Sequence, residues 1–396
     1  TNNEGTDYVG TAYTFQARVY SYQLWAWGSN QYGSLGQNLP ESSKRSSPVQ
    51  LPGTTWNNLS HGVAAGWEKG AIKTDGTMWA WGPNTYSQLG QNDTTPPRRS
   101  SPIQIPGTNW SANFRMGEEN QNPTAAVKTD GTLWAWGSNF RGQLGQNQAP
   151  GTLAAVSSPV QVGSDTTWST NPDSLGGNSS RIMAIKTDGT LWGLGYGGYG
   201  SMGLNLPDAT YYSSPVQIPG TTWSNIAVSD YFTVATKTDG TLWAWGYGAY
   251  GSLGQNNNVS YSSPIQIPGT TWSTGENKMT IGSNTTLALK TDGTLWAWGS
   301  RYMGMLGQNS DGSWSTGGFS SPVQIPGTTW NQIVTQNYTA LASKTDGTLW
   351  AWGYGDNGGI GNDSILHRSS PTQIGTDTDW TKIGSSHYAS FAIKRV

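Results

Sequence analysis

Apolar residues in this chain come in short runs, each broken after a few positions by Gly, Pro, Asn, Asp or Ser. No run approaches the roughly 20 residues that a membrane-spanning helix needs. In Leu133-Trp134-Ala135-Trp136 the two-residue period of an extended chain sets both indoles on one face and Leu and Ala on the other. Both faces are apolar, large opposite small, which suits a sheet pressed between two other sheets rather than one with a wet side. The segment from Trp56 predicts four short strands, Trp56–Ser60, Gly70–Thr74, Thr77–Gly82 and Pro102–Pro106. Asp75-Gly76 between the second and third reads as a two-residue turn of type I′, which needs positive φ at both positions.

The pattern repeats. Leu-Trp-Ala-Trp-Gly begins at Leu24 and returns from Met78, Leu133, Leu191, Leu242, Leu295 and Leu349, in steps of 54, 55, 58, 51, 53 and 54 residues. The fourth copy is altered to Leu191-Trp192-Gly193-Leu194-Gly195. A second string, Ser-Pro-Val-Gln-Ile-Pro-Gly-Thr-Thr-Trp, ends at Trp56, Trp110, Trp168, Trp223, Trp272, Trp330 and Trp380. Of 22 Trp, only Trp67 and Trp314 fall outside the two strings, so the indoles are structural by default. Seven units of about four strands each predict an all-β, seven-bladed β-propeller. The last unit stops after Ala389–Lys394 without its own Leu-Trp-Ala-Trp, and the first lacks a Lys-Thr-Asp-Gly ahead of Leu24. A composite blade is therefore expected, C-terminal strands pairing with the strand at Leu24, which leaves no free sheet edge. Its competitor has Phe15–Tyr20 supplying a strand instead. Residues 1–13 read as a polar arm and 14–396 as one propeller domain.

The unit from Ala126 to Gly145, Ala-Val-Lys-Thr-Asp-Gly-Thr-Leu-Trp-Ala-Trp-Gly-Ser-Asn-Phe-Arg-Gly-Gln-Leu-Gly, closely resembles the regulator-of-chromosome-condensation repeat, and the resemblance runs from Leu24 to Lys394. It implies a seven-bladed propeller closed by a shared blade. The family namesake is a chromatin-bound exchange factor for a small GTPase that inserts a wedge from one blade; no step here exceeds its neighbours by enough to hold one. Another propeller of this class is a secreted inhibitor that covers a β-lactamase with loop aromatics. The near-identical units are most similar to the bacterial or bacteriophage type, and fold does not carry function with it.

Composition narrows the partners. With 21 basic and 23 acidic residues and no basic tail, the chain offers no phosphate-binding surface, and no nucleic acid is expected. There is no Cys, hence no disulfide and no thiolate metal site. Gly195–Gly200, Gly246–Gly251 and Gly353–Gly358 each fit GxGxxG, but all sit in the register of the repeat and open no helix, so no dinucleotide is expected. His61, His367 and His387 fall in different registers, and the acidic doublet Glu118-Glu119 reads as a solvated loop. Six aspartates, Asp75, Asp130, Asp188, Asp239, Asp292 and Asp346, belong to the turns. No catalytic group, cofactor or metal is nominated. Six lysines in one register, Lys73, Lys128, Lys186, Lys237, Lys290 and Lys344, form a ring by symmetry, either an anion-attracting rim or snorkelling strand ends, with the second preferred.

What varies is more informative. Seven loops are expected on one side of the ring: Leu39–Arg45, Asp93–Arg99, Gln148–Val156, Leu206–Tyr212, Asn257–Tyr261, Ser310–Phe319 and Asp363–Arg368. They carry Arg98, Arg99, Tyr211, Tyr212, Tyr261, Trp314, Phe319, His367 and Arg368, residue types favoured at binding hot spots, on a rigid scaffold. The expectation is a non-enzymatic recognition or assembly module, extracellular or on a virion surface as a structural or adhesion protein. Its partner would be a protein or glycan surface, without membrane insertion and with assembly into a larger particle. The alternatives are an intracellular protein–protein scaffold or small-GTPase exchange factor like the namesake, and a secreted enzyme inhibitor.

Overall fold

The computed structural model describes residues 20–59, 68–117, 123–151, 155–206, 210–282, 284–309, 317–335 and 338–396. The polar arm expected at 1–13, with His61, Trp67, Glu118, Glu119 and Trp314, lies outside the described residues. Among those described, 28 strands form seven four-stranded antiparallel sheets. Blade I consists of Trp56–Leu59, Lys69–Lys73, Met78–Pro83 and Arg98–Gln104 in that spatial order. Blades II to VI repeat the arrangement from Trp110, Trp168, Trp223, Trp272 and Trp330. Around most of the ring the first strand of a blade packs against the first strands of its neighbours, so it lies nearest the axis. The Ser-Ser-Pro strand is outermost and half-exposed, where a proline lacking an N–H is tolerated and blunts the edge.

The ring closes through a composite blade. Ala389–Arg395 pairs on one side with Trp380–Ser386 and on the other with Tyr22–Ser29, Trp25 opposite Ala392 and Trp27 opposite Ser390. Lys44–Gln50 completes the sheet on the far side of Tyr22–Ser29. Both edges of that strand are taken, by the C-terminal pair and by Lys44–Gln50; of the competing segment Phe15–Tyr20, all but Tyr20 lies outside the described residues.

Three repeated contacts explain the strings. The second indole of Leu-Trp-Ala-Trp is fully buried, and its Nε1 donates to a carbonyl of the preceding blade: Trp81 to Ser34 (2.9 Å), Trp136 to Gln88 (2.9 Å), Trp245 to Ser201 (2.9 Å). A loop glycine of the preceding blade leaves room for it in six of the seven blades. At Gly90, with φ +67°, a Cβ would lie 2.8 Å from the Trp136 Nε1. Finally, the loop Asn N–H donates to an outer-strand Ser carbonyl of the next blade, Asn38 to Ser100 (2.8 Å) and Asn92 to Ser157 (2.7 Å), with Asp363 to Ser46 (2.8 Å) at the last junction.

Two local expectations are corrected. The Asp-Gly turn is not of type I′. The Gly76 N–H donates to the Lys73 carbonyl and the Lys73 N–H to the Thr77 carbonyl, both at 3.0 Å, so the loop spans three residues. Only Gly76 takes positive φ (77°), and Asp75 acts through its side chain instead. The outermost strand also starts earlier than expected, at Arg98 rather than Pro102. After Ala80 pairs Ile103 the register slips and Gly82 pairs Arg99, a bulge in which Gly82 takes φ +103°.

Candidate functional site

Antiparallel blades divide their connections between two faces of the ring. The three-residue turns and the Pro-Gly-Thr-Thr links between blades share one. The loops between first and second strands, and between third and fourth, share the other.

The turn face is given to structure. Each ring lysine lies between two indoles: Lys73 Nζ is 3.9 Å from the Trp79 ring centre and 5.0 Å from that of Trp56, and Lys344 is 4.2 and 4.8 Å from Trp350 and Trp330. Thr77 links turn to clamp. Its Oγ1 donates to Asp75 Oδ1 (2.6 Å) and accepts from Trp79 Nε1 (2.9 Å). The lysine ring is therefore not a free anion-attracting rim; the ammoniums are held by π faces.

These contacts carry a pH signature. Hydrogen bonds from Lys186 and then Thr167 hold the Asp165 carboxyl at about 2, and Thr hydroxyls hold Asp75, Asp130 and Asp346 below the ordinary carboxylate range. A carboxyl whose folded pKa is depressed stabilises the fold above its unfolded pKa of about 3.8, and that contribution is lost as pH falls toward 2. Asp165→Asn should flatten the acid limb of stability between about pH 4 and 2, by on the order of 1 kcal/mol after solvent screening, read by urea unfolding across that window.

The loop face carries exposed and half-buried aromatic side chains from several blades. Tyr199, Tyr231 and Tyr247 meet across the junction of blades III and IV with ring centres 5.6, 5.7 and 6.1 Å apart, and are 51, 39 and 41% exposed. Tyr196 packs against Tyr211 with the rings tilted by 35° and 5.1 Å apart, and the Arg141 guanidinium lies 4.5 Å over the Tyr196 ring. A second cluster joins blade V, blade VI and the closing blade. Tyr302 lies 5.1 Å from Tyr338, Tyr338 6.5 Å from Tyr354, and Tyr354 5.8 Å from Tyr388 and 4.9 Å from the stacked His367. Burial first, then the hydrogen bond and charge of Asp356, push the Tyr354 phenol up to about 12, so it stays a neutral donor. Burial, and next the Asp230 carboxylate, raise the Tyr231 phenol. Tyr199 also holds φ +58°, a left-handed conformation that a bulky side chain enters only at a cost.

The residues singled out in the variable loops do not form one patch. Tyr211 and His367 join the aromatic clusters; His367 Nδ1 accepts from the Gly355 N–H (3.0 Å) and lies 3.6 Å from Asp356. Tyr212, Tyr261 and Phe319 are half-buried against the cores of their blades, each opposite the bulge glycine, Gly195, Gly246 or Gly299. Glycine is required there because a Cβ would run into the backbone of the second strand, 2.2 Å from the Ser180 carbonyl oxygen at Gly195 and 2.1 Å from that of Asn284 at Gly299. Arg99 and Arg368 occupy the same register opposite Gly82 and Gly353. Arg98 pairs with Glu41 (2.6 Å), tying blade I to a loop of the closing blade, and Arg99 with Asp93 (3.2 Å). Arg98, Arg99, Tyr211, Tyr212, Tyr261, Phe319 and Arg368 thus stand on strands, not loops.

Tyr199, Tyr231, Tyr247, Tyr302, Tyr338, Tyr354 and Tyr388 went unnoticed in the sequence. A signal existed for some of them: Gly-Ser-Asn becomes Gly-Tyr-Gly at Gly195, Gly246 and Gly353, the segments that matched a phosphate loop.

Fold and site together define a rigid propeller scaffold whose turn face is closed by repeated Lys–Trp clamps and whose loop face displays tyrosines. Residues 23–392 match the family model of the RCC1-like domain, and the chain belongs to that family. It is 24% identical to the ultraviolet-B receptor UVR8 of Arabidopsis thaliana over 88% of this chain and 77% of that protein. It is 27% identical to human RCC2 over 56% of this chain and 45% of RCC2, and 24% identical to human HERC2, an E3 ubiquitin-protein ligase, over 76% of this chain but 6% of that one. Among solved structures, Prp20p of Saccharomyces cerevisiae superposes with a TM-score of 0.77 at 17% identity, covering 95% of this chain and 92% of its own, and human WBSCR16 with 0.78 at 16%, covering 94 and 100%. At such identities the structural likeness speaks for the fold alone. These relatives are eukaryotic, and the expected bacterial or bacteriophage type finds no support in them.

Proposed function

We propose that this chain is a protein-recognition scaffold, without chemistry of its own, that docks a partner protein through the tyrosine face of blades III to VI. The observation that carries the reading is the clustering of tyrosines from separate blades on one face, exposed at blades III and IV and half-buried toward the closing blade. Tyrosine offers large, rigid, amphipathic contact area at low entropic cost, and is enriched where proteins bind. The relatives favour the scaffold alternative over a virion or adhesion role, glycan binding or particle assembly: Prp20p is described with binding properties toward Gsp1p and histones, and yeast RCC1 is bound by Kap60.

The test is affinity capture from the native source with the wild type and the Tyr199→Ser/Tyr231→Ser/Tyr247→Ser variant, followed by cross-linking of each captured protein. Support requires a partner that cross-links to the loop face and is lost from the triple variant. A partner held equally by both, or cross-linked only to the turn face, overturns the assignment. Tyr199→Gly alone should hold or raise stability by up to about 1 kcal/mol, since glycine takes φ +58° without strain, while weakening the partner.

A further inference from the structure

The Lys–Trp clamp fails at one place, the closing blade. There Trp380 and Trp25 are the two indoles, with ring centres 6.2 Å apart, and Lys394 is the register equivalent of Lys73, opposite Trp380 as Lys73 is opposite Trp56. Chain connectivity is what differs. In the six regular blades a turn joins the second and third strands and supplies the threonine that accepts from the outer indole. In the closing blade those strands come from opposite ends of the sequence, and Gln23 stands where the threonine would be. The Trp25 Nε1 is consequently buried with no hydrogen-bond partner. Lys394 has turned to Asp377 (Nζ–Oδ2 2.7 Å) and lies 5.8 Å from the Trp380 ring, and among the described residues no cation lies over Trp25.

Two further departures open space at the same junction. In other blades a glutamine amide bridges to an outer-strand carbonyl, Gln91 to Gln104 (2.9 Å) and Gln308 to Gln324 (2.8 Å). Here Asn362 is one methylene shorter, and its Oδ1 is buried without a partner. Gly375 stands in the register of Pro52, and a Cβ built on it meets nothing within 4 Å. The result is a pocket of about 370 Å³, with Trp25, Trp380, Asn362, Gln373, Asp363 and Asp377 among its lining residues. That volume falls in the range of small-ligand sites.

We propose that this pocket binds the ammonium or quaternary ammonium group of an external ligand. The fold itself shows the chemistry six times: in each regular blade an alkylammonium sits over the outer indole at 3.9–4.4 Å. The closing blade keeps both indoles, gives up the lysine over the outer one, and adds two carboxylates of which Lys394 pairs with one. The site lies outside the tyrosine face and does not depend on the reading given to that face.

Tetramethylammonium chloride is the probe, titrated into the purified chain with sodium chloride at matched ionic strength as the control, and followed by tryptophan fluorescence and thermal shift. Saturation below about 100 mM is expected. Asn362→Gln, which restores the residue of five other junctions and fills the pocket, should weaken binding at least tenfold without lowering the melting temperature, and Asp377→Asn should weaken it as well. No saturable response, a response unchanged in Asn362→Gln, or binding of methyl glucoside in place of tetramethylammonium would each overturn the proposal.

Discussion

Removal of Ala389–Val396 should abolish cooperative unfolding altogether, leaving a chain that aggregates at micromolar concentration. This strand is hydrogen-bonded on both sides, to Tyr22–Ser29 and to Trp380–Ser386, and it buries Ala389, Phe391, Ala392 and Ile393 to 1% exposure or less. Phe391 packs 5.9 Å from Trp81 of blade I, so the strand also joins the closing blade to its neighbour. Its loss exposes two rows of unpaired backbone groups in the middle of a sheet and opens the ring, and such edges template aggregation. Circular dichroism in urea and size-exclusion chromatography measure the outcome. A peptide of residues 387–396 supplied in trans should restore part of the native signal, because no other strand competes for the gap. A truncated chain that stayed monomeric and unfolded cooperatively would mean that the blades hold together without closure.

The architecture was legible because the constraint behind it is repetitive. Leu-Trp-Ala-Trp presents one indole to the preceding blade and one to a lysine clamp, and each need recurs in six of the seven blades, so the strings survive with little change. Even the closing blade followed from which strings were missing at each end. The local errors came from competing geometry. Asp-Gly is the usual mark of a two-residue turn, but the Lys73–Thr77 pairing sets a three-residue loop and turns Asp75 into a side-chain acceptor. Ser-Ser-Pro reads as a break, yet the bulge at Gly82 lets the chain pair again on its far side, which moved Arg98 and Arg99 from loop to strand. The tyrosine face was hidden for a different reason. Tyr199, Tyr231 and Tyr247 are 16 to 48 residues apart and meet only because successive blades bring unlike loops together around the ring. Repetition points at what is shared between blades, whereas this surface is built from what they do not share.

Trp136→Ala should cost about 3–5 kcal/mol, read as a fall in the urea midpoint with an unchanged slope. The side chain is fully buried, packs with Ile72 and Leu89 of blade I and Phe114 of its own blade, and donates to the Gln88 carbonyl at 2.9 Å. That carbonyl also accepts from the Thr124 hydroxyl (2.8 Å), so the variant leaves a cavity but no orphaned acceptor, and lost packing dominates the cost. Blade III provides the natural comparison. It places Leu194 in the same register against Leu144 and Val162, without the hydrogen bond. Trp136→Leu should accordingly cost less, about 1–3 kcal/mol, because leucine refills part of the volume. A double-mutant cycle with Gly90→Ala isolates the contact. A Cβ at Gly90 would lie 2.8 Å from the indole nitrogen and 3.2 Å from two of its carbons, at a φ of +67° that is strained whatever stands opposite. The backbone strain appears in both arms of the cycle and cancels, so the coupling reports the clash alone. Gly90→Ala should therefore be more costly with the indole of Trp136 in place than in the Trp136→Ala background, by about 1 kcal/mol or more. Equal costs would show that the glycine is required by its own backbone and not by the indole of the next blade.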